Sequence, residues 1–237
     1  MRYRKHFIPL ESNPELFTQL IHRLGVSTSL QYHDVLSLDD PELLALVPRP
    51  ALALVLVFPT SPSYKSSIAG YDQTVNDYTK FGDQEEVMWY RQTINNACGL
   101  YGILHAVSNG QARDHIVPHS HLFKLVEKCK DLGPKERAAV LEEDEELELA
   151  YEEVALQGDS EAPENPEDEV DFHYVCFVRS HKDGHIYELD GDRKAPVNWG
   201  ASAENDMLAG KGLGVIKQFT MQVESDTGFS LLALSPT

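Results

Sequence analysis

The sequence predicts an α+β protein in which helices flank a central antiparallel sheet. Three observations lead to this class. Apolar residues recur with the spacing of a helix face in several segments, among them 14–24 and 97–108. Residues 51–58 form an apolar run with no polar face, which is typical of a strand buried on both sides. After residue 170 the pattern changes to strands, which a turn at Asp183-Gly184 joins as a hairpin.

The first helix is predicted over residues 14–24. Asn13 offers an N-cap side chain and Gly25 supplies a stop signal. The buried face consists of Phe17, Leu20, Ile21 and Leu24. A second, short helix has the same kind of start, with Asp40 as the cap and Pro41 at the first helical position.

The middle of the chain gives weaker signals. Residues 59–85 are mostly polar, and no element is assigned to them. One helix is predicted after a cap at Ser120, and another begins at Pro134 and runs into an acidic stretch. The closely spaced His115, His119 and His121 are interpreted as a solvated loop rather than a metal site, because no cysteine pair or His-Glu-x-x-His motif lies nearby.

The helix predicted at 97–108 carries the first candidate for chemistry. Asn95 or Asn96 is expected to cap it, which places Cys98 in the first turn. Unpaired backbone N–H groups and the positive end of the helix dipole favour a negatively charged sulfur there. Cys98 is then a candidate nucleophile, and Gln92 offers a second hydrogen-bond donor. An ordinary buried cysteine at a helix start fits the same stretch equally well.

The predicted hairpin offers a base for such a nucleophile. His173 lies on the first strand and Asp190 at the end of the returning strand. A hydrogen bond between them would hold the imidazole in the tautomer that a thiolate needs. With a tight turn at 183–184, residues 177 and 178 pair with 190 and 189, and His173 lies beyond Asp190. A looser hairpin, in which residues 179–182 bulge, brings the two side chains together.

Composition limits the cellular context. The formal charge is −18, and residues 141–170 hold 14 of the 38 acids and no Lys or Arg. Such a protein repels nucleic acid and attracts basic partners. The three cysteines do not make a disulfide framework, and the longest apolar run, residues 51–58, is too short to span a membrane. We expect a cytoplasmic protein that also fits a nuclear location, with no nucleic-acid or membrane partner.

Several motifs in matching order resemble one known family. These are Gln92-Thr-Ile-Asn-Asn-Ala-Cys98-Gly, Val170-Asp-Phe-His173, Gly184-His-Ile-Tyr-Glu-Leu-Asp190-Gly, Pro9-Leu-Glu11-Ser-Asn-Pro-Glu15 and Pro41-Glu-Leu-Leu with Val47-Pro-Arg-Pro50. The succession of Gln, Cys, His and Asp is that of papain-like thiol hydrolases, and nearly the whole chain resembles the ubiquitin C-terminal hydrolases. The stretch at 179–182 is longer than is usual in the family, which should bulge the hairpin away from the site.

The resemblance implies roles for particular residues. Cys98 corresponds to the nucleophile, His173 to the general base, Asp190 to the residue that orients the base, and Gln92 to an oxyanion-hole donor. Glu11, Glu15 and Asp34 correspond to contacts with the basic tail of ubiquitin. Residues 156–170 correspond to an active-site crossover loop, which restricts the leaving group to small or flexible adducts.

The resemblance also implies the general character of the protein. It implies a single catalytic domain over residues 1–237, a papain-like fold with a knotted backbone, a monomer, and no metal or cofactor. The partner is ubiquitin, and the reaction is thiol-dependent hydrolysis at its C-terminal glycine. Two alternatives remain open. One is a hydrolase of another ubiquitin-like modifier, such as the one attached to cullins, and the other is a non-catalytic ubiquitin-binding module.

Overall fold

The computed structural model describes residues 3–159, 170–223 and 228–237. Within these ranges the chain forms eight α-helices and eight β-strands. The helices are α1 (Pro14–Leu24), α2 (Pro41–Leu44), α3 (Pro62–Asp72), α4 (Cys98–Ser108), α5 (His121–Cys129), α6 (Pro134–Glu142), α7 (Glu145–Ala155) and α8 (Gly210–Gln222). The strands are β1 (Lys5–His6), β2 (Leu30–Asp34), β3 (Ala53–Pro59), β4 (Ile94–Asn95), β5 (Phe172–Arg179), β6 (His185–Leu189), β7 (Val197–Ala201) and β8 (Ser230–Pro236).

A six-stranded sheet forms the centre of the described structure. Its order is β2-β8-β3-β5-β6-β7, and every neighbouring pair is antiparallel. A separate parallel pairing joins β1 to β4, just before the cysteine helix. The predicted α+β class with helices around an antiparallel sheet is confirmed. The knotted backbone and the single-domain boundary stay predictions.

Strand β3 is buried on both faces, as its unbroken apolar run predicts. Val55 and Val57 face a core that also contains side chains of α1, α4 and α7. Leu54, Leu56 and Phe58 face a second core, which includes Val215, Ile216 and Phe219 of α8. Helices therefore cover both faces of the sheet, and the α4 side carries the candidate nucleophile.

Helix α1 has the predicted bounds because its end signals act locally. The Asn13 side chain accepts hydrogen bonds from the backbone N–H groups of Glu15 and Leu16. At the other end, Gly25 adopts a left-handed conformation with φ 105° and its N–H caps the last turn. Residues 59–85, unassigned from the sequence, contain α3, which the Ser61 side chain caps.

A buried ion pair fixes the segment that leads to the site. The Arg137 guanidinium of α6 is fully buried and donates to the Glu85 carboxylate at 2.8 Å. It also donates to the backbone carbonyls of Cys129 and Trp89, at 2.9 and 3.2 Å. This side chain therefore connects α5 and α6 to residues 85–89, shortly before Gln92.

Replacement of Arg137 by alanine is expected to destabilise the protein by about 3–5 kcal/mol, because Glu85 would be left as a buried charge without its partner. Urea unfolding followed by circular dichroism measures the change. Lys130→Ala serves as the control, since the Lys130–Glu127 pair lies on the surface and its loss should leave the unfolding midpoint nearly unchanged. Equal midpoints for the two variants would contradict the structural role of Arg137.

No helix within residues 3–159, 170–223 and 228–237 is both long and apolar enough to cross a lipid bilayer.

Candidate active site

Cys98 is the first residue of α4, as the sequence predicts, but the predicted cap is wrong. The N-cap residue is Ala97, whose side chain makes no capping hydrogen bond. Asn95 belongs to β4, and Asn96 takes a left-handed conformation with φ 56°, so neither side chain is at the capping position. The first backbone N–H groups of α4, including that of Cys98, therefore have no intrahelical acceptor.

Two glycines let α4 approach its neighbours closely. A Cβ on Gly102 would lie 3.1 Å from the Val55 side chain of β3, and one on Gly99 would lie 3.2 Å from the Leu10 Cβ. Residues 99–108 are all buried, whereas Cys98 is partly exposed and lines a cavity of about 560 Å³. The helix is thus embedded in the core, with its sulfur at the cavity wall.

The structure brings His173 and Asp190 together. The His173 Nε2–H donates to the Asp190 Oδ1 at 2.9 Å, and both side chains are largely buried. The same oxygen accepts the backbone N–H of Asp192 at 2.9 Å, and the Asp190 carbonyl accepts the indole N–H of Trp89 at 3.0 Å. Asp190 is therefore fixed through both its side chain and its backbone.

The tight hairpin register is wrong, and the looser alternative is confirmed. Cys176 pairs with Leu189 and Val178 with Tyr187, so the connecting turn covers residues 180–184. This register moves Asp190 two positions towards His173 compared with a two-residue turn. The additional residues pack elsewhere: Ser180 donates to the Glu86 carbonyl at 2.7 Å, and Lys182 to the Glu85 carbonyl at 2.8 Å. The bulge lies away from the site, as expected.

Electrostatics favours the charged form of this pair. Burial lowers the pKa of His173. The Asp190 carboxylate, together with hydrogen bonds to Asp190 and the Cys98 sulfur, raises it by more than burial lowers it, so the net pKa lies well above 6.5. Burial raises the pKa of Asp190, yet its attraction to His173 outweighs this and the net pKa is lowered. An ionised carboxylate only accepts hydrogen bonds, so Nε2 carries a proton and Nδ1 remains for Cys98.

Gln92 is buried and its backbone is tied to the Asp190 turn. Its N–H donates to the Gly191 carbonyl at 2.8 Å, and its side-chain Nε2 donates to the Ile94 carbonyl at 3.2 Å. The Oε1 atom is buried and has no hydrogen-bond partner within the described ranges. A carboxamide nitrogen carries two hydrogens, so one N–H stays available for an oxyanion.

The three predicted tail contacts differ in position. Glu11 lines the same cavity as Cys98, together with Leu10, Ser12 and Tyr174. Glu15 is exposed in the first turn of α1, and Asp34 is exposed at the end of β2. Only Glu11 of these three is part of the cavity lining that the structure describes.

The predicted crossover loop falls mostly outside the described residues, since 160–169 are not included in them. Its described ends are informative. Gly158, which follows α7, and Val170, which precedes β5, both line the cavity that contains Cys98. The described chain on both sides of residues 160–169 therefore reaches the wall of this cavity.

His115, His119 and His121 do not form a common site. The His115 Nδ1 contacts the Ser29 hydroxyl at 3.0 Å, and the His119 ring lies against Phe123. His121 departs from the predicted solvated loop, because it begins α5 and lies between the carboxylates of Asp144 and Glu146, each at 3.0 Å. Within the described part of the chain, no group of three or more candidate ligands is arranged to hold a metal ion.

Sequence reasoning missed residues that surround the Asp190 turn. Arg193 donates to the buried Glu188 at 2.8 Å, and its guanidinium lies 4.6 Å from the centre of the Tyr71 ring in α3. Burial raises the pKa of Glu188 to about 7. Asp192 lies with its Oδ2 4.0 Å from the His173 Nδ1. Only the run of charges after Asp190-Gly191 hints at these contacts, and such runs are usually ordinary turns.

The chain is similar in sequence to one known family of proteins. The family model described as "Ubiquitin carboxyl-terminal hydrolase, family 1" matches residues 7–221. The chain is 38% identical to a ubiquitin carboxyl-terminal hydrolase of Aplysia californica, over 92% of this chain and 97% of the relative. It is 34% identical to the human ubiquitin carboxyl-terminal hydrolase isozyme L1, over 95% of this chain and 96% of that protein.

The fold is also found among solved structures. The catalytic domain of Trichinella spiralis UCH37, solved with ubiquitin vinyl methyl ester, superposes with a TM-score of 0.72 at 21% sequence identity. The alignment covers 99% of this chain and 97% of that domain. Sequence and fold agree, and the chain belongs to family 1 of the ubiquitin carboxyl-terminal hydrolases.

Proposed function

We propose that this chain hydrolyses amide, ester or thioester bonds at the C-terminal glycine of ubiquitin, with Cys98 as the nucleophile. The observation that carries the proposal is the buried His173–Asp190 pair, hydrogen-bonded at 2.9 Å, whose imidazole also lies within hydrogen-bonding reach of the Cys98 sulfur. Cys98 in turn opens onto the cavity at the start of a helix. The proposed substrate, ubiquitin, is taken from the names of the relatives.

The reaction follows from these positions. The Cys98 thiolate attacks the glycine carbonyl, and the resulting oxyanion is stabilised by the Cys98 N–H and the Gln92 amide. His173, protonated at Nδ1, gives that proton to the leaving amine as the C–N bond breaks. The neutral imidazole then removes a proton from water, which attacks the thioester and releases the modifier with a free carboxylate.

The oxyanion role of Gln92 predicts a defined loss of activity. Gln92→Ala is expected to lower kcat by roughly 100- to 1,000-fold, the usual effect of removing one oxyanion donor. Steady-state hydrolysis of a fluorogenic ubiquitin C-terminal amide measures it. Gln84→Ala is the matched control, because Gln84 is exposed in the preceding segment. A loss of less than about tenfold would contradict the donor role.

Substrate entry is proposed to depend on charge and on the 156–170 segment. Glu11 lines the cavity and is placed to meet the basic tail, while Glu15 and Asp34 provide exposed negative charge nearer the surface. Gly158 and Val170, which lie on either side of residues 160–169, both line the cavity wall, and the family resemblance implies a crossover loop between them. We therefore expect small or flexible adducts to be better substrates than folded ubiquitin chains.

The choice of modifier is tested by competition. Hydrolysis of the ubiquitin amide is measured in the presence of increasing ubiquitin or of the cullin-attached modifier, both without a leaving group. The proposal expects ubiquitin to inhibit at the lower concentration. Inhibition by the other modifier at lower concentration, with little turnover of the ubiquitin amide, would favour the alternative substrate.

A non-catalytic ubiquitin-binding module is the less favoured function for this chain. A binding role does not require a histidine and an aspartate to share a buried hydrogen bond beside a partly exposed cysteine, and burying such a pair is costly. Tight ubiquitin binding without hydrolysis of the fluorogenic amide would support that module instead.

A further inference from the structure

Asp192 places a second carboxylate beside the candidate base. Its Oδ2 lies 4.0 Å from the His173 Nδ1, whereas Asp190 holds the opposite nitrogen, Nε2, at 2.9 Å. The two aspartates also differ in exposure: the side chain of Asp192 is 47% exposed and that of Asp190 is 2% exposed. Asp190 is thus part of the interior, while Asp192 is partly exposed to solvent on the Nδ1 side of the imidazole.

The position of Asp192 is set by its backbone. Its N–H donates to the Asp190 Oδ1 at 2.9 Å, so the turn is closed on the same carboxylate that holds His173. The neighbouring Gly191 carbonyl accepts the Gln92 N–H at 2.8 Å. Gly191 has no space for a side chain, because a Cβ there would lie 2.8 Å from the Gln92 Cβ. Asp192 is therefore held next to the catalytic groups and does not belong to a freely moving loop.

The leaving amine has to pass close to this carboxylate. In the proposed reaction the His173 Nδ1 gives its proton to the amine nitrogen as the C–N bond to the glycine carbonyl breaks, so the two nitrogens lie within hydrogen-bond distance at that step. A carboxylate oxygen 4.0 Å from Nδ1 is then close to the leaving group and to the residues that flank it. Charged groups on the adduct interact with Asp192 in the transition state as well as on binding.

We propose that Asp192 is a specificity-determining residue that favours adducts carrying positive charge beside the bond to be cleaved. The proposal rests on the ubiquitin hydrolase function proposed above and names the class of adduct that this chain selects: basic peptides joined through a lysine side chain. At a partly exposed site, a single charge pair several ångströms apart changes a rate by roughly 3- to 10-fold. Acidic adducts are disfavoured by a similar factor.

The test compares two substrates that differ only in adduct charge. Ubiquitin is joined through its C-terminal glycine to the lysine ε-amine of a short peptide flanked by arginines, or of the same peptide flanked by glutamates. The ratio of kcat/KM for the two substrates is measured by mass spectrometry for the wild type and for Asp192→Asn. Asp83→Asn is the matched control, because Asp83 is exposed and lines a different cavity.

The wild-type protein is expected to prefer the basic adduct, and Asp192→Asn should reduce this preference by roughly 3- to 10-fold. Asp192→Lys should lower the ratio further than Asp192→Asn does, and Asp83→Asn should keep the wild-type ratio. Because the whole chain is acidic, some preference remains in every variant, so the comparison between variants is decisive.

An equal loss of activity on both substrates in Asp192→Asn would overturn the proposal, since it would assign Asp192 to positioning of His173 alone. An unchanged ratio at full activity would overturn it as well. If Asp192→Asn is too slow to measure, Asp192→Ser is used for the ratio, and inactivity of both variants on both substrates also counts against selection by charge. Failure of the wild type to cleave either substrate would instead contradict the proposed function.

Discussion

Replacement of Cys98 by alanine is expected to abolish hydrolysis of a fluorogenic ubiquitin C-terminal amide while ubiquitin binding is retained. The sulfur is the only atom removed, and in the proposed mechanism it forms the covalent intermediate. Because Cys98 lies at the cavity wall and is not deep in the core, the fold should tolerate the change. Turnover is measured by fluorescence and ubiquitin binding by calorimetry on the same preparation.

Cys129→Ala provides the control for this substitution. Cys129 is fully buried, and burial raises the pKa of its thiol to about 11, so it carries no thiolate at neutral pH. Its replacement is expected to lower stability by creating a small cavity and to leave kcat near the wild-type value. Measurable turnover by Cys98→Ala, or loss of turnover only in Cys129→Ala, would contradict the assignment of the nucleophile.

Asp190→Asn is expected to lower kcat/KM at neutral pH by roughly 100- to 10,000-fold, as loss of the carboxylate that orients a catalytic histidine does elsewhere. The pH profile should change in a definite direction. Burial lowers the pKa of His173 and the Asp190 carboxylate raises it, so without that carboxylate the pKa falls. The protonated imidazole is then lost at lower pH, and the alkaline limb of the profile moves towards acid.

Asp183→Asn is the matched control, because Asp183 lies at the opposite end of the same hairpin. Its carboxylate accepts the Tyr187 hydroxyl at 2.7 Å and the His185 N–H at 3.0 Å, far along the strands from Asp190. This variant is expected to change stability and to keep the wild-type pH profile. Activity of Asp190→Asn within a few-fold of wild type, with an unshifted alkaline limb, would show that His173 works without this partner.

Local signals in the sequence predict local structure well. The cap at Asn13 and the stop at Gly25 give the bounds of α1, because each acts within one helical turn. The apolar run before Pro59 predicts a central strand, because every side chain in it needs a buried environment. The sequence places Cys98 in the first turn of α4 although the predicted cap is wrong, since the helical periodicity over 97–108 already limits the helix.

Features that depend on distant contacts could not be predicted from the residues alone. The hairpin register is set by the packing of Ser180 and Lys182 against residues 82–86, nearly one hundred positions earlier, and no nearby turn signal encodes it. Helix α8 begins with Gly210 and Gly212, which are poor helix formers, and it is stabilised by burying Val215, Ile216 and Phe219 on the sheet. Asp192 follows a turn sequence, and no sequence signal predicts that it lies beside His173.

The order of the residues in the sequence, together with the resemblance, predicts the site residues, and the structure supplies the distances between them. The succession Gln92, Cys98, His173 and Asp190 says nothing about distance. The fold brings Asp190 to His173 through the two-residue shift of the hairpin, and it ties Gln92 to the same turn through Gly191. Their catalytic roles are proposals that the variants above test.

The most direct test is the reaction of the wild-type protein with ubiquitin that carries a C-terminal electrophile such as a vinyl methyl ester. Intact mass spectrometry and peptide mapping after digestion identify the modified residue. We expect one ubiquitin per chain, attached to Cys98 and absent in Cys98→Ala. No adduct, or an adduct on Cys129 or Cys176, would contradict the account.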